Sequence, residues 1–126
     1  MSIAIDTSSL VAYLEGDRGP DTPIIEAAIQ ALTLRIPGPV VTELLSYPGV
    51  GAKVAAAIDV FPIPELRSGF WDRAGETRRK LLSRGLKARI ADALITQTCL
   101  DHDMELITRD GDFRHFAKHC GLKLAQ

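Results

Sequence analysis

Little in this chain invites cross-linking. It has two cysteines, Cys99 and Cys120, and no CxxC pair. Neither a disulfide framework nor a thiolate zinc site organises it, and two free thiols in a reducing compartment is the simpler reading. His115 and His119 have the spacing of a zinc helix, but Phe116 stands where a HExxH motif needs glutamate, so they read as the wet face of a last helix. Long apolar runs are missing too. No stretch free of Asp, Glu, Lys and Arg exceeds nine residues (Leu44 to Ala52), well short of the ~20 a membrane-spanning helix needs. The N-terminus lacks a basic region and carries Asp6 where a signal peptide requires apolar residues, which leads us to expect a cytoplasmic protein. Repeats, low-complexity tracts and interdomain linkers are absent, so residues 1–126 read as one domain.

What is present is ordinary in bulk and uneven in detail. An apolar share of 46% argues against disorder, and a net charge of −1 by itself specifies no partner. Yet Arg78, Arg79, Lys80, Arg84, Lys87 and Arg89 follow one another with no acid among them, a local basic patch in a neutral protein.

Hydrophobic periodicity alternates short strands with helices. Ile3-Ala4-Ile5 is a strand ending on Asp6, and Leu10, Val11, Tyr13 and Leu14 mark the helix it opens into. Gly16 to Pro20 is a loop. A second helix starts at Asp21 or Thr22 with Pro23 in its first turn, and Ile24, Ile25, Ala28, Ile29 and Leu32 form its apolar stripe. Leu34-Arg35-Ile36 is a second strand. A third helix from about Pro39 turns Val40, Val41, Leu44 and Leu45 inward and stops near Pro48. Val50 to Ile58 is helical, and Val60 to Pro64 is extended, confined by its prolines to an edge or a connector. A longer helix over Ser68 to Arg84 points Trp71, Ala74, Leu81 and Leu82 at the core and ends at Gly85. A helix over Ala91 to Asp101 buries Ala91, Leu94, Ile95, Thr98 and Cys99. Leu106-Ile107-Thr108 is a strand, Phe113 to Ala117 a short helix, and Leu122-Lys123-Leu124 a closing strand. This order predicts an α/β fold with a parallel sheet between helices.

Two of the strands end in an acid and then a helix, and the carboxyl edge of a parallel sheet is where ligands bind. Asp6 and Asp110 are therefore expected side by side. Glu43 interrupts an apolar stretch in an early helical turn, and Asp92 does the same near another helix start. Singly, each acid is more readily a helix cap or a solvated residue than a site residue. Jointly they are harder to explain that way. Two carboxylates about 4 Å apart repel by about 4 kcal/mol at an effective dielectric near 20, more than the ~0.3–1 kcal/mol a helix end returns. Four together need protons or cations. Oxygen ligands without His or Cys favour Mg²⁺ or Mn²⁺ over zinc, and such ions serve phosphoryl chemistry.

Asp6 in Ile5-Asp6-Thr7-Ser8, Glu43 in Val41-Thr42-Glu43-Leu44, Asp92 in Ala91-Asp92-Ala93-Leu94-Ile95 and Asp110 in Thr108-Arg109-Asp110-Gly111-Asp112-Phe113 resemble the acidic signature of PIN-domain ribonucleases. Among these they most resemble the VapC-type toxins of toxin–antitoxin pairs. The resemblance spans nearly the whole chain. It implies a PIN-like three-layer α/β/α sandwich with a short, mostly parallel five-stranded sheet. It also implies a Mg²⁺- or Mn²⁺-dependent endoribonuclease with one or two ions per site, often homodimeric and silenced by a cognate antitoxin. By position, Asp6, Glu43, Asp92 and Asp110 would be catalytic and hold the metal, with Asp112 auxiliary. Ser8 and Thr108 match small polar positions beside the site, where they would bond a carboxylate or a water. Asp110 or Asp6 would act on the attacking water, leaving 5′-phosphate and 3′-hydroxyl ends.

RNA contact is assigned to Arg78, Arg79, Lys80, Arg84, Lys87, Arg89 and Arg109, since the basic run leads straight into Asp92. An acidic partner is the competing use. The alternative function is a non-catalytic RNA- or protein-binding PIN-like module. A phosphatase or phosphoacceptor built on Asp6 fits poorly: haloacid-dehalogenase-type enzymes want a second Asp where Ser8 stands, and receiver domains want an acidic pair near the first strand that is missing here.

Overall fold

The structure, a computed structural model, describes residues Met1–Gln126. A parallel sheet is built from β1 (Ile3–Ile5), β2 (Leu34–Arg35) and β3 (Leu106–Ile107) in the order β2-β1-β3. Around it run α1 (Thr7–Leu14), α2 (Thr22–Gln30), α3 (Gly38–Leu45), α4 (Ala52–Val60), α5 (Phe70–Leu82), α6 (Ile90–Asp101) and α7 (Arg114–Cys120), with a 3-10 turn at Gly111–Phe113. Consecutive strand residues point to opposite faces. Ala4 and Ile5 are both fully buried, as are Leu106 and Ile107. Helices therefore cover the sheet on both sides.

The expected five strands reduce to three. Val60 to Pro64 contributes one backbone bond, from Ile36 N–H to the Pro62 carbonyl at 3.0 Å. Its prolines have no N–H with which to continue a ladder. Leu122 to Leu124 reaches only a single parallel bridge, Leu124 to Leu106.

Some apolar side chains also face the other way. Leu32 follows the end of α2 at φ 59° and is exposed, and Leu45 and Leu82 are about half exposed on the last turns of α3 and α5. Trp71 is 65% exposed and meets Phe70 edge-on at 5.0 Å, so Phe70, Ala74, Thr77 and Leu81 form the inner stripe of α5. Ala91 and Leu94 are half-buried rather than buried. The end of α5 follows its sequence signal. Gly85 takes φ 71°, the Leu86 N–H reaches the Leu81 carbonyl and the Gly85 N–H that of Leu82, a closed cap that a side-chain-bearing residue would strain.

Helix α6 is buried along most of its length and pinned to α5. Arg73 grips Asp101 with two bonds of 3.0 and 2.6 Å, and the buried Thr77 hydroxyl donates to Gln97, which in turn donates to Asp101. The guanidinium of Arg73 holds the Asp101 carboxyl below the usual carboxylate range. These bonds hold the C-terminal half of α6 against α5.

Candidate metal centre

Strands β1 and β3 are direct neighbours and parallel, so the residues after them emerge together. Asp6 follows β1 as the N-cap of α1, yet its side chain makes no cap bond. Instead Oδ2 accepts the Ser8 hydroxyl at 3.0 Å and the Thr108 hydroxyl at 2.8 Å. Thr108 Oγ in turn accepts the Asp110 N–H, and Ser8 Oγ the Arg109 N–H. Two hydroxyls thus tie the end of β1 to the turn after β3. Asp110 caps the 3-10 turn, its Oδ1 accepting the Asp112 N–H at 2.9 Å.

The other two acids come from helices packed against each other, α3 and α6. Asp92 lies in the first turn of α6, behind Arg89 as the N-cap. It is not the cap, and its carboxylate binds Arg89 rather than backbone. Glu43 stands six residues into the eight-residue α3, because that helix starts at Gly38. It is therefore clear of the positive helix end where the sequence had put it. Its Oε1 accepts the Thr7 hydroxyl at 3.2 Å, a contact the sequence reading missed. Asp6, Glu43, Asp92 and Asp110 all line one open cleft of about 490 Å³, along with Thr7, Ser8 and Arg89. The apolar side chains of Val11, Leu44, Tyr47, Val50 and Val54 form one wall.

Asp6 and Asp92 are only 5% and 6% exposed, and like charges so confined need compensation. The protein's own cations provide it. The Arg89 guanidinium bonds Asp92 at 3.0 Å and Asp110 at 2.7 Å and lies 3.3 Å from Asp112, while Lys87 reaches Asp112 at 2.9 Å. Compensation is incomplete. Burial pushes Asp92 above the usual carboxylate range, Arg89 opposes the shift, and the charges of Asp110 and Asp6 add to it. Burial likewise raises Glu43 against the Thr7 hydrogen bond, helped by the charges of Asp6 and Asp110. The Lys87 contact draws Asp112 downward.

The donor set fits a hard divalent cation. Asp92, Asp110 and Asp112 each present an oxygen within 4.8 Å of the others, and Asp6 and Glu43 face the same cleft. No imidazole or thiolate is among them, so these oxygens suit a hard divalent ion better than zinc.

The basic residues divide three ways. Arg109 is turned away from the cleft: it binds Asp21 at 2.9 and 3.0 Å and Asp17 at 3.0 Å. It holds Asp21 below the usual carboxylate range and leaves that carboxylate unable to cap α2. Arg89 and Lys87 are spent on the acids, and Arg78 donates to the Ala88 carbonyl at 2.7 Å. Arg79, Lys80 and Arg84 make no ion pair and remain exposed.

The PIN domain family model matches residues 3–119. Among solved structures, VapBC2 from Rickettsia felis bound to a promoter DNA fragment aligns over 99% of this chain and 98% of its own, at 20% identity and a TM-score of 0.80. VapBC-1 from nontypeable Haemophilus influenzae aligns over 100% and 98%, at 17% identity and 0.74. A toxin–antitoxin complex from Klebsiella pneumoniae aligns over 89% and 90%, at 22% identity and 0.62. A search of curated proteins gave no significant match. With the family model covering nearly the full length, and with acids gathered at the carboxyl edge of the sheet, this chain belongs to the PIN domain family.

Proposed function

We propose that this protein is a divalent-metal-dependent endoribonuclease, the VapC-type toxin of a cytoplasmic toxin–antitoxin pair. One observation carries the reading: four carboxylates from four separate segments line a single solvent-open cleft. Membership of the PIN family supports the chemistry, and the toxin–antitoxin complexes of like fold support an antitoxin as partner. No helix is long and apolar enough to cross a membrane. A homodimer is part of the proposal, because Trp71 and Ile90 are apolar and more than half exposed beside the cleft.

Asp6, Glu43, Asp92 and Asp110 would hold Mg²⁺ or Mn²⁺, one or two per site, with Asp112 auxiliary. The ion, when bound, acidifies water and polarises the phosphodiester. The chain's own groups do the rest. Ser8 and Thr108 fix Asp6 by donating to one of its oxygens, and Thr7 fixes Glu43. Both oxygens of Asp110 are engaged, by the Asp112 N–H and by Arg89. Asp6 and Glu43 each keep one carboxylate oxygen free of protein bonds, Asp6 Oδ1 and Glu43 Oε2, and these are the oxygens left to receive the proton of the attacking water. In-line attack leaves a 5′-phosphate and a 3′-hydroxyl.

The test is cleavage of purified cellular RNA by antitoxin-free protein in Mn²⁺, read by sequencing new 5′ ends, beside Asp6→Asn and Glu43→Gln. Wild type cuts at discrete sites, and each variant is slower by about 10²–10⁴-fold. Wild type that neither cuts RNA nor binds Mn²⁺ overturns the proposal.

A further inference from the structure

The nuclease reading explains the cleft but leaves open why the unpaired cations lie where they do. Two of the acid-free stretches of the sequence are rich in Arg and Lys, Thr77 to Ala91 and Phe113 to Gln126. The fold packs α7 directly on α5, which lays the second stretch beside the first. Arg18, Arg73, Lys87, Arg89, Arg109 and Lys123 are held in ion pairs. Of the exposed cations outside any ion pair, Lys53 and Arg67 stand apart, and the other five, Arg79, Lys80, Arg84, Arg114 and Lys118, gather at α5 and α7.

The two helices share one positive field. Burial and the charges of Arg84, Lys118 and His115 together hold His119 below the usual imidazole range, and Lys80 and Arg84 both act on Cys120. At its inner end the face meets the cleft. Lys87 bonds Asp112, Arg114 adds its charge there, and Asp112 lies within 4.8 Å of Asp110 and Asp92. Positive charge left unneutralised in a protein of net charge −1 raises the local concentration of anions at this face. Helix α7 exposes no large apolar side chain, and beside Lys80 and Arg84 only Leu82 is exposed, less than the apolar centre of a protein interface. A repeating phosphate backbone matches it better than a folded acidic partner does.

We propose that the α5–α7 face is the backbone track for the RNA substrate, with Lys80, Arg84, Arg114 and Lys118 on phosphates and Lys87 at the entry to the acid cleft. The proposal rests on the nuclease reading for its choice of polyanion. It adds Arg114 and Lys118 of α7, to which the sequence assigned no role, and it omits Arg109.

The test is fluorescence anisotropy of a short labelled single-stranded RNA against the full chain in EDTA, repeated across a salt series. The double variant Lys80→Gln/Lys118→Gln is compared with wild type, its fold checked by circular dichroism. Polyglutamate of similar length is run in parallel. The variant is expected to bind RNA about tenfold more weakly. The slope of log affinity against log salt should shrink by about 1.4, near 0.7 for each of two lost phosphate contacts. Unchanged affinity and slope overturn the track. So does polyglutamate binding as tightly as RNA and weakening equally in the variant, which would make the face an acidic-protein dock. Cleavage of the same RNA in Mn²⁺ is scored separately: absence of cutting by wild type fails the nuclease reading, whereas cutting with unaltered binding in the variant fails only the track.

Discussion

At the scale of single residues, Arg89 has the most to say about metal binding. Its guanidinium touches Asp92 and Asp110 and lies within 3.3 Å of Asp112, the same oxygens a divalent ion would use, so ion and side chain compete for one set of acceptors. Arg89→Gln is therefore expected to bind Mn²⁺ about tenfold more tightly by calorimetry. It should also melt at a lower temperature than wild type in EDTA, where the carboxylates lose their counter-charge. Weaker Mn²⁺ binding would mean that Arg89 organises the ligands instead of opposing the ion. Asp92 and Glu43 make a second prediction through pH. Both are raised by burial. A raised acid favours the folded state while protonated, and that contribution is lost as pH rises from the ordinary carboxylate range through the raised value. Metal-free protein should thus lose stability with rising pH just above about pH 4, while Mn²⁺ affinity climbs over the same interval. Asp21 and Asp101, drawn down by Arg109 and Arg73, act in the opposite sense and at lower pH, where their contribution disappears as pH falls. Asp92→Asn, which keeps an oxygen for Arg89, should flatten the upper descent and raise the metal-free melting temperature by a few degrees.

At the scale of elements, the site depends on strands of two and three residues. Ile107 is the last residue of β3, its carbonyl accepts the Asp6 N–H at 2.9 Å, and its side chain is fully buried. Truncation by Ile107→Ala should cost about 2–5 kcal/mol in urea unfolding and loosen the register that brings Thr108 onto Asp6. A cost below about 1 kcal/mol would mean that the turn after β3 is anchored elsewhere. Helices were legible in the sequence because their signals are local: Pro23 within the first turn of α2, Gly85 after α5, apolar spacing throughout. The acids at the ends of β1 and β3 were legible for the same reason. The short sheet was not, because a ladder needs a partner's N–H and carbonyl groups, which only tertiary packing supplies. Nor was the use of the basic residues. Arg109 pairs with Asp21, 88 positions away, and nothing local separates it from Arg89, which turns into the cleft. Trp71 looked like a core residue since it sits one turn before Ala74, yet Phe70 takes the inner place.

At the scale of the whole molecule, the apolar surface is concentrated as clearly as the charge. Ile63, Leu66, Trp71 and Ile90 are each at least half exposed, and with Phe70 and Leu94 they line a groove of about 590 Å³. Burying apolar surface stabilises association by about 25 cal/mol per Å², and a stable interface takes about 800 Å² from each partner. A second copy is the occupant we propose for this groove: it would supply part of that area and account for an exposed tryptophan. Glu43 lines both the groove and the acid cleft, so a partner seated there also closes one side of the cleft to water. The full chain is accordingly expected to sediment as a dimer. Trp71→Glu, which sets a charge in the middle of the groove while leaving every cleft acid in place, should sediment as a monomer and keep wild-type Mn²⁺ affinity. A dimer that survives this change assigns the contact to another face, and a wild type that is monomeric at high concentration removes the dimer from the proposal altogether.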